Sequence, residues 1–188
     1  MPGEDSVKKG YEEAVEKGLK NIHLMTGTHI VTDDNYYDKF MPYVVFAQPM
    51  TVSGDGREKT FVKGGGFKII GRILCTFIDL TIHKTKEDGL YGDCGMIFDC
   101  RRVKFDNCGA YGVRAVFTIG RLTNCQVTNC KQSGVFISQS SNIEIEGEES
   151  SINNNGVNSE AYGMKADSES CIRLLSPLTK ESVSTNNR

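Results

Sequence analysis

Tryptophan is missing altogether, and the 188 residues include only four prolines and three histidines. No apolar run reaches the roughly 18 residues of a membrane-crossing helix, so neither a transmembrane span nor a membrane partner is expected. The opening Met1-Pro2-Gly3-Glu4-Asp5 is acidic and leads into no apolar stretch. No secretion signal is read there, and a cytoplasmic location is expected. Asn-X-Ser/Thr sequons are also missing. So is an excess of one charge: 22 Lys and Arg stand against 24 Asp and Glu, a net charge of −2. A nucleic-acid partner, which a basic surface would serve, is therefore not expected.

Cys-X-X-Cys does not occur. The seven cysteines (Cys75, Cys94, Cys100, Cys108, Cys125, Cys130 and Cys171) are at least five residues apart, and His23, His29 and His83 are not grouped with them. No metal site and no cofactor is expected from such spacing. An odd count in a chain of this size also argues against a disulfide framework. Most of these cysteines sit in apolar alternations such as Cys125-Gln126-Val127, where a free thiol packs like a small hydrophobe.

What is abundant is glycine, 20 residues of it, together with Asn, Thr and Ser, and 38% of the chain is hydrophobic. That mix suits a cored protein with many short strands and turns. One helix is legible, over residues 6–17. Ser6 is the expected N-cap, Val7, Tyr11, Ala14 and Val15 share a face, and Gly18 followed by Leu19 fits a C-terminal stop. Its remaining surface mixes Lys and Glu, unlike the basic face of a membrane-binding helix. From Ile22 the period changes to short alternating strands, among them Ile22–Leu24, His29–Val31, Val44–Phe46, Met50–Val52, Thr60–Val62 and Phe67–Ile70.

The most informative feature is a repeat. Gly112-Val113, Gly134-Val135 and Gly156-Val157 recur every 22 residues, as do Asn107-Cys108 and Asn129-Cys130. Val103-Lys104-Phe105 aligns with Cys125-Gln126-Val127 at the same offset, and Gly89-Leu90 keeps the rhythm with one residue of slip. A period in this range marks a solenoid, because each unit buries its apolar face only against its neighbours. The expected fold is all-β: a single-stranded right-handed parallel β-helix, about 22 residues per coil, with some five to seven coils between Ile22 and Leu175 and the helix as N-terminal cap. Domain boundaries follow: a tail at 1–5, the β-helix with its cap at 6–175, and a polar, disordered tail at 176–188. Inward valines should stack as Val113 on Val135 on Val157. Gly and Asn should occupy corners that need positive φ, with Asn107 and Asn129 sharing amide hydrogen bonds.

Several segments resemble the pectin-lyase-like right-handed β-helix superfamily. Ile22-His23-Leu24-Met25-Thr26-Gly27-Thr28-His29 is similar to its opening IxLxPGxY, with Thr26 in place of Pro and His29 in place of Tyr. Met50–Thr60 resembles IxIxGxGxxxT, and Gly134–Ile145 is similar to the GIxVxxSxNVxI coil of carbohydrate-binding and sugar-hydrolase repeats. The cysteine-bearing coils resemble β-helix modules of intracellular adaptor proteins. What the resemblance implies is the fold over residues 6–175 and a carbohydrate-related role. The polygalacturonase set (NTD, DD, GHG, RIK) is not matched, since Asp33-Asp34 is the one DD and there is no GHG. Tyr91-Gly92-Asp93-Cys94 shares only the start of the alginate-epimerase YGxDPH.

The candidate ligand-binding row lies beside the repeated glycines. With Val113 and Ala115 inward, Arg114 faces out, and stacking at about 5 Å places Tyr91, Asp93, Phe136 and Asn158 along the same face. Aromatic rings next to an Arg and an acid suit a sugar ring and its carboxylate. The competing reading is an ordinary ladder, with Asp93 and Arg114 as a weak surface ion pair. Charge is also uneven: residues 101–131 carry six cations and one acid, residues 132–171 seven acids and one Lys. Such a girdle would bind an anionic polysaccharide or mediate association between copies. The excursion Thr32–Pro42 holds Asp33, Asp34 and Asp38, whose spacing matches no EF-hand loop. Gly54-Asp55-Gly56 with Lys59-Thr60 lacks the order of a phosphate loop.

The leading expectation is a non-catalytic recognition or scaffold module with a polysaccharide or glycan as partner. One alternative is a polysaccharide lyase or epimerase using Arg114 or Lys104 with Asp93 or Asp99. The other is a structural subunit that forms a homo-oligomer through its open C-terminal coil.

Overall fold

Each coil visits three parallel sheets in turn. The computed structural model describes residues 1–32, 42–157 and 161–187. Sheet 1 has six strands: Tyr43–Phe46, Gly66–Ile69, Leu90–Gly92, Val113–Val116, Val135–Ser138 and Met164–Ala166. Sheet 2 has seven: Asn21–Leu24, Met50–Gly54, Leu74–Ile78, Ile97–Arg101, Ile119–Thr123, Asn142–Glu146 and Cys171–Leu174. Sheet 3 also has seven: Gly3–Glu4, Gly27–Ile30, Thr60–Lys63, Thr81–His83, Lys104–Asp106, Gln126–Thr128 and Ser151–Asn153. The solenoid makes about six turns of about 23 residues. The offset is 22 between Arg114 and Phe136 but 23 between Tyr91 and Arg114.

Inward side chains stack in columns, as parallel register demands. Phe67, Leu90, Val113 and Val135 form one, and Phe77, Cys100, Leu122 and Ile145 another. The Val113–Val135 column continues at Met164, not at Val157, which is 67% exposed. The last coil is longer than the repeat predicts, so the 22-residue extrapolation fails there. Gly120 stands where a side chain would strike Phe98, whose ring lies 2.2 Å from the Cβ position. Phe46, Phe67 and Phe77 pack mutually, with centroids 4.9–5.6 Å apart.

The repeated glycines form a column for a different reason from the one the sequence suggests. A Cβ on Gly66, Gly89, Gly112 or Gly134 would lie 2.6–2.8 Å from the carbonyl oxygen of Gly89, Gly112, Gly134 or Gly163 respectively. Close approach of successive coils excludes a side chain there. Positive φ is not the cause, since only Gly156 of the three repeat glycines has it, at 84°. Left-handed residues fall in the corner columns instead: Gly71, Cys94, Phe117 and Ser140 lie between sheets 1 and 2. Asp79, Arg102, Asn124 and Gly147 lie between sheets 2 and 3, and Lys84, Asn107, Asn129 and Asn154 follow sheet 3. Asn107 and Asn129 are thus at corners as expected, but Asn129 donates to Asp106 Oδ1 (2.9 Å) rather than to Asn107.

Both ends differ from the sequence reading. Gly3–Glu4, expected as part of a tail, pairs with His29 and Ile30 in sheet 3. Helix α1 spans Ser6–Glu16, and its N-cap is Asp5, not Ser6. Asp5 is pulled into this place because Thr32 donates its N–H and hydroxyl to the carboxylate at 3.0 and 2.6 Å. Gly18 does end the helix, with φ 66° and the paired bonds Gly18 N–H to Val15 O and Leu19 N–H to Ala14 O. At the other end, residues expected to be disordered form helix α2, Lys180–Val183, with Val183 fully buried. Asn187 Nδ2 donates to Ile152 O (2.6 Å), and Asn187 Oδ1 accepts from Asn155 N–H (2.9 Å). The tail therefore covers the end of the core, and sheet 3 does not terminate in a bare edge.

All seven cysteines are free; five are buried, while Cys94 and Cys171 are exposed. Burial pushes the Cys75 thiol up to about 11 and Cys125 up to about 12. A thiol reagent should label two sites rapidly in the native protein and the other five only on unfolding, as read by mass spectrometry. Gly112→Ala should destabilise the protein by about 1–3 kcal/mol, because the new Cβ would collide with Val127 Cγ1. Urea denaturation followed by circular dichroism would measure it.

Candidate functional site

Outward positions of sheet 1 carry, in register, Val45, Lys68, Tyr91, Arg114, Phe136 and Lys165. Three of the expected residues, Tyr91, Arg114 and Phe136, are thus neighbours on adjacent strands. Asn158 lies outside the described residues, and Lys165 follows Phe136 in the row. Cations alternate with rings. Lys68 Nζ lies 5.4 Å from the Tyr91 centroid, Arg114 Cζ 5.1 Å from Tyr91 and 5.7 Å from Tyr111, and Lys165 Nζ 5.8 Å from Phe136. Tyr111 stacks on Phe136 at 4.9 Å. These contacts hold the cationic heads upright over the sheet.

Arg114 pairs with Asp88 rather than with Asp93. Its Nη1 is 3.9 Å from Asp88 Oδ2, and its Nε is buried without a hydrogen-bond partner among the described residues. Asp93 instead accepts from the Tyr91 hydroxyl (3.2 Å) and from Cys94 N–H (2.6 Å). Asp88 precedes the column glycine Gly89 and is 3% exposed. It accepts from Tyr111 N–H (3.1 Å) and from the Tyr43 hydroxyl (3.3 Å). Burial pushes its carboxyl up to about 6 against the pull of Tyr111 N–H, Arg114 and Tyr43. Burial, and then the charge of Asp88, likewise raise the Tyr43 phenol. Asp88 and Tyr43 are missed by sequence reasoning because neither shares a residue type with its counterparts one coil away. Asp88 precedes the column glycine Gly89, whereas Tyr43 stands at the column's own position, in register with Gly66.

Of the acid–base candidates of the enzymatic alternative, Arg114 and Asp93 both contact Tyr91, whereas Lys104 and Asp99 lie elsewhere. Lys104 is on sheet 3 and Asp99 on sheet 2, where Arg101 binds it through Nε at 2.9 Å. The cation-rich segment 101–131 makes no single basic face either. Arg102 is paired with Asp79 and Arg121 with Glu144, on a sheet other than that of Arg114. The aspartates of the 33–41 excursion lie outside the described residues. Among the described residues no cluster of His, Cys, Asp and Glu could hold a metal ion, and no helix is long and apolar enough to cross a membrane.

Two further features were not legible in sequence. A chain of contacts runs from Ser53 Oγ to His23 Nδ1 (3.1 Å) and from His23 Nε2 to Asp55 Oδ1 (2.9 Å), with Thr26 donating twice to Asp55. Ser53 lies in a strand paired on both sides. The ladder therefore engages the backbone donors that an oxyanion would need, and the geometry does not support acyl transfer. The second is a groove of about 350 Å³ on sheet 2, bordered by Leu74, Ile97 and Ile119 and by Asp99, Arg121, Glu144 and Arg173.

An all-β parallel solenoid with a cation–aromatic row on one outer face is the class of protein that these features define. The chain belongs to the right-handed β-helix family: the family described as "Right handed beta helix region" matches residues 58–182. No curated protein and no solved structure matches the chain.

The Asp88 geometry yields a pH prediction. The folded protein holds this proton more tightly than the unfolded chain, whose carboxyl titrates near 3.8. The contribution of Asp88 to stability is fully present below that value and is lost as pH rises to about 6, by about 3 kcal/mol at most. Asp88→Asn, which keeps an acceptor for Tyr111 N–H, should remove this slope. Urea midpoints between these two pH values, for wild type and variant, would measure it.

Proposed function

We propose that the protein is a non-catalytic recognition module that holds an anionic saccharide along the outer face of sheet 1. The observation that carries this reading is the Lys68–Tyr91–Arg114–Phe136–Lys165 row. Cations recur on every second strand, about 9–10 Å apart, and rings stand between them. Rings pack against the apolar faces of pyranoses, while the cations meet carboxylates or sulfates. Arg114 is 41% exposed at its side chain and its only ion-pair partner among the described residues is Asp88, so it keeps donor capacity toward solvent.

A lyase or epimerase acting on the same glycan is the second reading. It draws on Asp88, whose carboxyl burial pushes up to about 6. Asp88 is nevertheless sealed beneath Tyr43 and Arg114, and a general base must reach the proton it removes. In this row Asp88 acts as the counter-charge that positions Arg114.

Calorimetric titration with oligogalacturonate should show binding, and a neutral cello-oligosaccharide should bind far more weakly. Arg114→Ala should cost roughly 10- to 100-fold in affinity, as for the loss of a charged hydrogen bond. No absorbance of unsaturated uronate should develop. Equal affinity for the charged and neutral sugars, or binding untouched by Arg114→Ala, would overturn the reading.

A further inference from the structure

The outer face of sheet 2, on another side of the solenoid, carries two parallel stripes. One is apolar: Leu74, Ile97 and Ile119 are in register and 48, 43 and 59% exposed, with Phe117 beside them at 54%. Contiguous exposed apolar side chains of this size mark an interaction surface more often than a solvated one. The second stripe is charged and alternates in sign on successive strands: Asp99, Arg121, Glu144, Arg173. Asp99 enters it held by Arg101 (Nε to Oδ2, 2.9 Å), with its other oxygen, Oδ1, buried and without a hydrogen-bond partner among the described residues.

An alternating ladder is its own complement when reversed and offset by one strand. A two-fold axis in the plane of the face, parallel to the strands and midway between Ile97–Arg101 and Ile119–Thr123, reverses the coil order of the second copy. Asp99 then faces the second copy's Arg121, and Ile97 faces its Ile119. The opposite choice, with the axis along the solenoid, sets Asp99 against Asp99 and Arg121 against Arg121, which like-charge repulsion disfavours. Apolar contact and charge pairing are thus satisfied by one and the same operation, as an isologous interface requires.

We propose that the protein forms a homodimer through the outer faces of its two sheets 2, with the solenoids antiparallel. Sheet 1 stays open in this arrangement, so the interface is independent of saccharide binding. The partner is a second copy of the chain, because the reversed copy sets Asp99 on Arg121 and Arg121 on Asp99, with Glu144 opposite Thr76, whereas a uniformly charged partner would meet Asp99 or Arg121 with like charge.

The test is sedimentation equilibrium of the full chain over a concentration series. Wild type should approach twice the 20.8 kDa chain mass. Arg121→Glu, which makes the facing pair Asp–Glu, and Asp99→Arg, which makes it Arg–Arg, should each weaken self-association at least tenfold. Circular dichroism should show both variants folded. An equimolar mixture of the two should restore the dimer, because Asp99 of one then faces Arg121 of the other and Glu faces Arg. Recovery in the mixture cannot arise from misfolded variants. A wild-type monomer at every concentration would overturn the proposal and assign the face to a different partner. A dimer indifferent to both variants would overturn it by locating the contact elsewhere.

Discussion

Backbone hydrogen bonding between successive coils is the constraint on which everything else in this protein depends. Each strand pairs with the strand one turn earlier and one turn later, at a spacing of about 4.8 Å. At that distance the backbones entering sheet 1 come so close that a side chain is excluded at Gly66, Gly89, Gly112 and Gly134, while at Gly163 Ser184 and Asn187 of the C-terminal segment fill the space. The same spacing sets every outward residue against its counterpart in the next coil. A surface residue here has two neighbours fixed by register, and rows of like or complementary chemistry arise without any loop to organise them.

That constraint acts differently on the two outer faces. On sheet 1 it alternates cations with rings, and the buried Asp88 lies under the row as a counter-charge. On sheet 2 it alternates cations with acids beside an apolar stripe. The first pattern sets its cations against rings, with Arg114 also on Asp88 and Lys165 on Asp167. The second satisfies much of its charge internally, with Arg121 and Arg173 both on Glu144. What it presents outward is chiefly apolar surface and a sequence of signs. The terminal segments follow the same logic: α1 and the Gly3–Glu4 strand close one end, and α2 with Asn187 closes the other, so that the column interiors are not left open.

Much of the fold was legible before any coordinates. The 22-residue recurrence of Gly112 and Gly134, and of Asn107 and Asn129, implied stacked coils, and the helical face of Val7, Tyr11, Ala14 and Val15 implied a cap. The row Tyr91–Arg114–Phe136 followed from counting in and out from Val113. The reading failed where coil length changes. Val157 and Asn158 were placed by extrapolating the period, but Met164 and Lys165 occupy the corresponding positions. It failed too at the termini, where Asp5, Val183 and Asn187 act through contacts 27 or more residues away. Such contacts leave no periodic trace.

Asp88 shows the division most clearly. In sequence it is one acid in Lys86-Glu87-Asp88-Gly89; in the fold it is sealed beneath Tyr43 and Arg114, and burial pushes its carboxyl up to about 6. By itself the sequence determined that the chain coils, roughly how often, and which side chains face inward, because spacing along the chain translates directly into stacking and alternation. Only the tertiary structure decided which charges meet, which glycine is needed for space rather than for φ, and which apolar residues remain exposed. Those outcomes depend on distances across coils, and a difference of a few residues in a single loop is enough to change which atoms become neighbours.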